Sequence, residues 1–136
     1  MSRANRFRGE DGAAAVEFAL ILSLLLVIVF GIIEFGRTYS EYQVFVGAAR
    51  EGARHGAVGE SQAEILSSVT GASVGYTLSE TPTITVNGLA ADDPPCNQDT
   101  AGDTVEVSWD QTFDISIPFL PAWSPSVHVE GVFRCE

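Results

Sequence analysis

The chain has 136 residues, 46% of them hydrophobic, and a formal net charge of −11. That length predicts one domain, and a chain this acidic is repelled by nucleic acid and by an anionic membrane surface. Lysine is absent: all seven basic residues are arginines, and Arg3, Arg6 and Arg8 stand ahead of a long apolar block.

The block runs from Ala13 to Ile33, AAAVEFALILSLLLVIVFGII, with Glu17 as its only charge. It makes a helix of about 30 Å, enough to cross the hydrocarbon layer of a bilayer. Apolar side chains cover every face, which excludes an amphipathic surface helix. The rest of the chain is too short to bury the block as a core helix. A cleaved secretory signal fits poorly, because the run is too long and continues into helix-forming sequence. The arginines on the N-terminal side put that end in the cytoplasm by the positive-inside rule. The reading is a single-pass inner-membrane protein, N-terminus inside, with a short segment 1–12, a transmembrane helix 13–33, a helical extension 34–57 and an extracytoplasmic domain 58–136.

Glu17 stands four residues inside the span. A carboxylate there costs about 2.5–3.5 kcal/mol at the centre of a membrane helix and less near its end. It is either compensated by a partner charge or solvated among the headgroups, roughly 6 Å along the helix from Ala13.

Glu34 to Ala57 contains no proline. Phe35, Tyr39, Tyr42, Val46, Ala49 and Ala53 recur at helical steps of four and three, a narrow seam for packing on another helix or a small sheet. Glu34, Arg37 and Glu41 have ion-pair spacing on the solvent side. Gly47, Gly52 and Gly56 each weaken the helix by about 1 kcal/mol and hint at close backbone approach. From Ala13 to Ala57 the rod would be about 68 Å long.

The remainder reads as a small globule. Ser61 with Glu64 three residues on is a capping box, opening a short helix that ends near Gly71. Thr83–Val86 followed by Asn87-Gly88 is a strand and turn. A polar, proline-broken loop fills Gly88 to Gly102. Val105, Val107, Trp109, Phe113, Ile115 and Ile117 then alternate with polar residues, as one long strand or two short ones meeting at a bulge, with Gln111 the one break in the apolar face. Pro118, Pro121 and Pro125 interrupt the chain before a last strand containing Val127, Val129 and Phe133. The expected class is α+β: a long N-terminal helix carrying a small antiparallel sheet that packs on the helical seam.

Cys96 and Cys135 are the two cysteines. The topology puts both in an oxidising space, and a last strand folding back on the long one brings them together as a disulfide. The alternative is two free thiols.

Little supports catalysis. His55 and His128 have no nucleophile motif beside them, and an isolated histidine is far more often structural. Asp92, Asp93, Asp99 and Asp103 supply carboxylates of the kind calcium takes, yet read better as solvated loop charge. A phosphate-binding glycine loop is not present. We expect no enzyme, cofactor or resident metal.

Two segments carry a resemblance. Gly12-Ala13-Ala14-Ala15-Val16-Glu17-Phe18-Ala19 resembles the class III signal of the type IV pilin superfamily, and Ala48-Ala49-Arg50-Glu51-Gly52-Ala53-Arg54-His55-Gly56-Ala57 resembles the AAREGARYGA segment of TadE-like proteins, with His55 in an aromatic position. TadE-like proteins are minor pilins or pseudopilins of the Tad (Flp) pilus system. The resemblance implies a leader 1–12 removed by a prepilin peptidase between Gly12 and Ala13. It implies that Glu17, fifth residue of the mature chain, meets the free amine of a neighbouring subunit and sets axial register. It implies as partners the peptidase, other Tad pilins and pseudopilins through the N-terminal helix, and an inner-membrane assembly platform, in the assembly, priming or capping of an adhesive pilus. Two other readings are an unprocessed accessory protein of the same machine and a membrane-anchored binding module.

Overall fold

A computed structural model describes the chain from Phe7 to Glu136, with side chains from Gly12 onward. Arg3 and Arg6, and the side chain of Arg8, lie outside the described residues, as does the first half of segment 1–12.

Helix α1 is a single rod, Phe7–Ala57, 51 residues long, or about 77 Å. Its N-terminal part is bare; its last four turns or so carry the globule. Gly59, at φ +81°, ends it. The Gly59 amide donates to Gly56 O at 3.1 Å and the Glu60 amide to His55 O at 3.3 Å, satisfying carbonyls that the helix leaves open. Glycine is required there twice over, because a Cβ would stand 2.9 Å from the carbonyl oxygen of Cys96.

Helix α2, Gln62–Ala72, opens with the capping box: Ser61 Oγ accepts from the Glu64 amide and the Glu64 carboxylate accepts from the Ser61 amide. The Ser61 hydroxyl, which donates to Glu64 Oε2 at 2.7 Å, and the Ser61 amide together hold the Glu64 carboxyl below its ordinary value. Ile65 and Val69 of α2 are fully buried against α1.

The sheet has four antiparallel strands in the order β2-β1-β3-β4, formed by β1 Thr83–Val86, β2 Leu89–Ala90, β3 Thr104–Thr112 and β4 Ser126–Arg134. The α+β expectation holds: a long apolar helix with a small antiparallel sheet. Two details differ from the sequence reading. Leu89–Ala90, inside the expected loop, turns back on β1 through Asn87-Gly88, both at positive φ (49° and 77°), the two-residue turn that such residues favour. The long alternating strand stops at Thr112, and Ile115 makes only an isolated bridge to Trp123. The facing segment carries Pro121 and Pro125, which have no amide hydrogen for a ladder.

The core lies between the sheet and the two helices. Val105, Val107, Trp109 and Phe113 face Phe45, Ala49 and Ala53 of α1 together with Ile65 and Val69 of α2. Phe45 is its hub, in edge-to-face contact with Tyr76, Trp109 and Phe113 at centroid distances of 5.9, 6.2 and 6.0 Å.

Candidate functional site

The functional surfaces follow from how α1 is divided. Among the described residues it is the one helix long and apolar enough to cross a membrane, with a mean hydropathy of 2.9 over its best window and none of that window buried. Gly12 and Ala13 lie within the continuous helix, and Glu17 is exposed on the bare rod one turn further on. Phe18, Leu20, Ile21, Leu24 and Ile32 all project without a partner. Such a surface in water would be a large aggregation liability, so it must be covered by lipid or by other apolar helices.

The other end of α1 is a docking face made of small residues. Ala48, Ala49, Gly52, Ala53, Gly56 and Ala57 are all buried, while Arg50 and Arg54 of the same stretch point outward. A Cβ on Gly52 would collide with the side chain of Val69, and one on Gly56 would stand 3.1 Å from Val105. From the sheet side, a Cβ on Gly131 of β4 would overlap the Ala49 carbonyl and the Arg50 amide nitrogen. The repeated small residues therefore let a sheet and a second helix lie directly on the backbone of the rod. Outside this face, His55 Nδ1 is 2.7 Å from Glu60 Oε2 and its Nε2 is 3.3 Å from Glu51 Oε1, a surface cluster that staples the end of α1 to the following turn.

The seam read from the sequence is only partly this face. Ala49 and Ala53 are buried and Tyr42 and Val46 half-buried, but Phe35 (71%) and Tyr39 (55%) are exposed, stacked on each other at 6.3 Å. The sheet reaches no further down the rod than about Tyr42, so the two aromatics below it have nothing to pack on. Phe45 and Ala48, on the same side of the rod, are buried and were not in the seam. Of the spaced glycines, Gly52 and Gly56 meet close neighbours, whereas a Cβ at Gly47 would meet open space.

Below the sheet a loop returns to the rod. Arg37 pairs with Glu34 at 2.7 Å and donates to the carbonyl oxygen of Asp114 at 3.0 Å, and the Ser116 amide donates to Glu34 Oε1 at 3.3 Å. Further along, Ile117 Cδ1 stands 3.9 Å from where a Gly31 Cβ would be.

The far end of the globule is closed by the Cys96–Cys135 disulfide, with a Cα–Cα distance of 5.5 Å. Around it the Cys135 amide donates to Asp103 O at 2.8 Å and the Glu136 amide to Ala57 O at 3.1 Å. The bridge thus joins the loop after β2 and the end of β4 over the C-terminus of α1.

The acidic loop does not gather its carboxylates: Asp93 instead accepts from the Gln62 amide at the start of α2, at 2.8 Å. Among the described residues, the group of three close enough to share an ion is Glu106, His128 and Glu130, with ligand atoms within 4.8 Å on the outer face of the sheet. His128 there is engaged by Asp110, Nδ1 to Oδ1 at 2.9 Å. That hydrogen bond, with the charges of Asp110, Glu130 and Glu106, raises the imidazole above its ordinary value.

One polar residue was misjudged in the sequence as a mere break in the apolar face. Gln111 is buried and accepts from Trp109 Nε1 and the Ser79 amide, both at 3.1 Å, while donating to Ser79 Oγ at 2.9 Å. It ties the segment after α2 to β3, and its position in register with Trp109 is the signal that it faces inward.

Comparison with known proteins agrees with this division of the rod. The family model for TadE, described as TadE-like protein, matches residues 12–54, from Gly12 in the bare part of the helix into the small-residue docking face. No curated protein and no solved structure matches the chain. Over residues 12–54, about a third of its length, the chain is similar to TadE-like proteins.

Proposed function

We propose that this chain is a minor pilin or pseudopilin of a Tad pilus, cut between Gly12 and Ala13 and taking part in assembly, priming or capping of the fibre. The observation that carries the reading is the bare rod itself. The family match begins at Gly12, and from there to about Phe30 the helix has almost no partner within its own chain. A helix that only anchors a globule needs lipid around it and nothing more. This one also carries an acid, Glu17, one turn after the glycine of a class III signal.

On this reading the new amine at Ala13 is a cation close to the end of the rod, and Glu17 of an adjacent subunit is its counter-ion. Pairing in a low-dielectric bundle compensates both charges and admits one axial stagger between subunits. The division of labour follows. Small residues in the last turns of α1 fix the globule to its own rod, and the bare turns are left for other rods.

The deciding experiment is mass analysis of N-termini in membrane and sheared-fibre fractions. A chain beginning at Ala13 in the fibre fraction supports the proposal. A full-length chain confined to the membrane would favour an unprocessed accessory protein of the same machine.

A further inference from the structure

Between Asp114 and His128 lies the stretch Ile115-Ser116-Ile117-Pro118-Phe119-Leu120-Pro121-Ala122-Trp123-Ser124-Pro125-Ser126-Val127, which has no charged residue in a chain of net charge −11. Its large side chains do not join the core. Phe119 is 80% exposed, and Leu120 and Trp123 are each 49% exposed. In a freely solvated loop such a run would be a liability with no return.

Its position supplies the return. The loop descends the rod in step with the helix: Asp114 O meets Arg37, the Ser116 amide meets Glu34, and Ile117 lies beside Gly31. Each step of three residues along α1 is about 4.5 Å toward the apolar block. Gly31 belongs to the last turn of that block, so Ile117 is already level with its end. The chain then turns, with Leu120 N–H donating to Ile117 O at 3.1 Å, and returns to pair Trp123 with Ile115 through two hydrogen bonds of 3.1 and 3.2 Å. Phe119 at the turn takes φ +71°, a left-handed conformation that a bulky residue rarely adopts. The exposed ring at the tip is thus displayed in spite of its backbone conformation.

We propose that this loop is a second membrane contact: a wedge whose tip, Pro118 to Pro121, enters the headgroup–acyl boundary of the leaflet on the globule's side, beside the exit of α1. The chemistry suits that place. Phe119, Leu120 and Trp123 are side chains that partition to the interface, where tryptophan is especially favoured. Prolines 118 and 121 have no amide hydrogen to desolvate, and the amides of Ser116, Leu120 and Trp123 are already bonded within the chain. Arg37 and Glu34 pair just above the hydrocarbon boundary, and the stacked Phe35 and Tyr39 add aromatic surface at that level. The acidic globule would otherwise be pushed from an anionic surface; here it meets that surface through its uncharged stretch. The wedge would hold the globule at one height above the bilayer while the subunit is still in the membrane.

The inference rests on α1 spanning the bilayer, and the experiment keeps the two apart. Full-length protein is reconstituted in vesicles of phosphatidylethanolamine and phosphatidylglycerol containing lipids brominated near the headgroup or deep in the acyl chain. Trp109 is buried in the core, so the difference between wild type and Trp123→Phe isolates the Trp123 emission. We expect shallow-brominated lipid to quench that emission more strongly than deep-brominated lipid, as befits an interfacial tryptophan, Phe119→Ser with Leu120→Ser to abolish most of the quenching, and a reporter in mid-helix, Leu22→Trp, to be quenched by the deep label. Unquenched, water-like Trp123 emission beside a quenched Leu22→Trp overturns the wedge and leaves the spanning helix. Emission that is unquenched by lipid but shifts with protein density overturns it in favour of a contact with a second copy. Loss of quenching at both positions overturns both readings.

Discussion

Gly131 of β4 lies against the backbone of Ala49 on α1 so closely that it could carry no side chain without moving the sheet off the rod. The contact joins the middle of an edge strand to the helix at the point where Val107 and Gly131 are paired. Gly131→Ala forces a Cβ into peptide groups that cannot rotate away, and overpacking of this kind costs about 1–3 kcal/mol or more. In detergent-solubilised full-length protein the globule should melt markedly earlier. Gly47→Ala, two residues before Ala49 on α1 and facing open space, should be neutral or gain up to about 1 kcal/mol from helix propensity. Equal behaviour of the two variants would show that the close approach carries no energetic weight.

The Cys96–Cys135 bridge spans 39 positions of chain, and closing such a loop in the unfolded state is worth about 3–4 kcal/mol on the chain-entropy model. A thiol reagent should find no reactive cysteine in native protein until reductant is added. Cys135→Ser should then lower Tm by on the order of 10 °C, because the outer part is small and such a loss is a large share of its stability. Free thiols in freshly isolated protein would remove the bridge.

If the proposed function is right, processing and register separate at Gly12 and Glu17. Gly12→Leu should leave the chain full-length in the membrane, because the peptidase of this pilin class must accommodate a glycine beside the cut. Glu17→Ala should insert and be processed, yet enter sheared fibres far less than wild type. Normal incorporation of Glu17→Ala would mean that the carboxylate is merely solvated at the interface.

His128 makes the outer face of the sheet pH-sensitive. Its hydrogen bond to Asp110 raises the imidazole in the folded state, and the charges of Asp110, Glu130 and Glu106 act in the same direction. Folding therefore favours the protonated form. The stabilisation is fully present below the unfolded value of about 6.5 and is lost as pH rises through the higher folded value. The effect is small, because the pair is exposed and screened. An NMR titration should place the His128 midpoint above that of a free histidine, and Asp110→Asn should bring it down. A midpoint unchanged by Asp110→Asn would dismiss the pair.

Composition and periodicity alone settled the parts of this protein that depend on local pattern. A run of apolar residues from Ala13 to Ile33 can only be a bilayer-length helix, and a serine with a glutamate three residues on starts α2 because both groups bond within one turn. Alternation from Val105 to Trp109 makes a strand wherever it is folded. What the pattern could not decide was which residues meet across the fold. The aromatic seam drawn along α1 ran past the end of the sheet, because spacing gives a direction on a helix and not the length of what covers it. Gln111 looked like a defect in an apolar face until Trp109 and Ser79 were found around it. Gly131 carried no sign that a helix backbone would stand where its side chain would be. The string from Ile117 to Trp123 looked like a connection broken by prolines, and only the return of the chain to Glu34 and Arg37 showed it lying at the end of the apolar block. Local hydrogen bonding and hydrophobic period are written in neighbouring residues; contact between segments eighty residues apart is set by packing, which no short window of sequence contains.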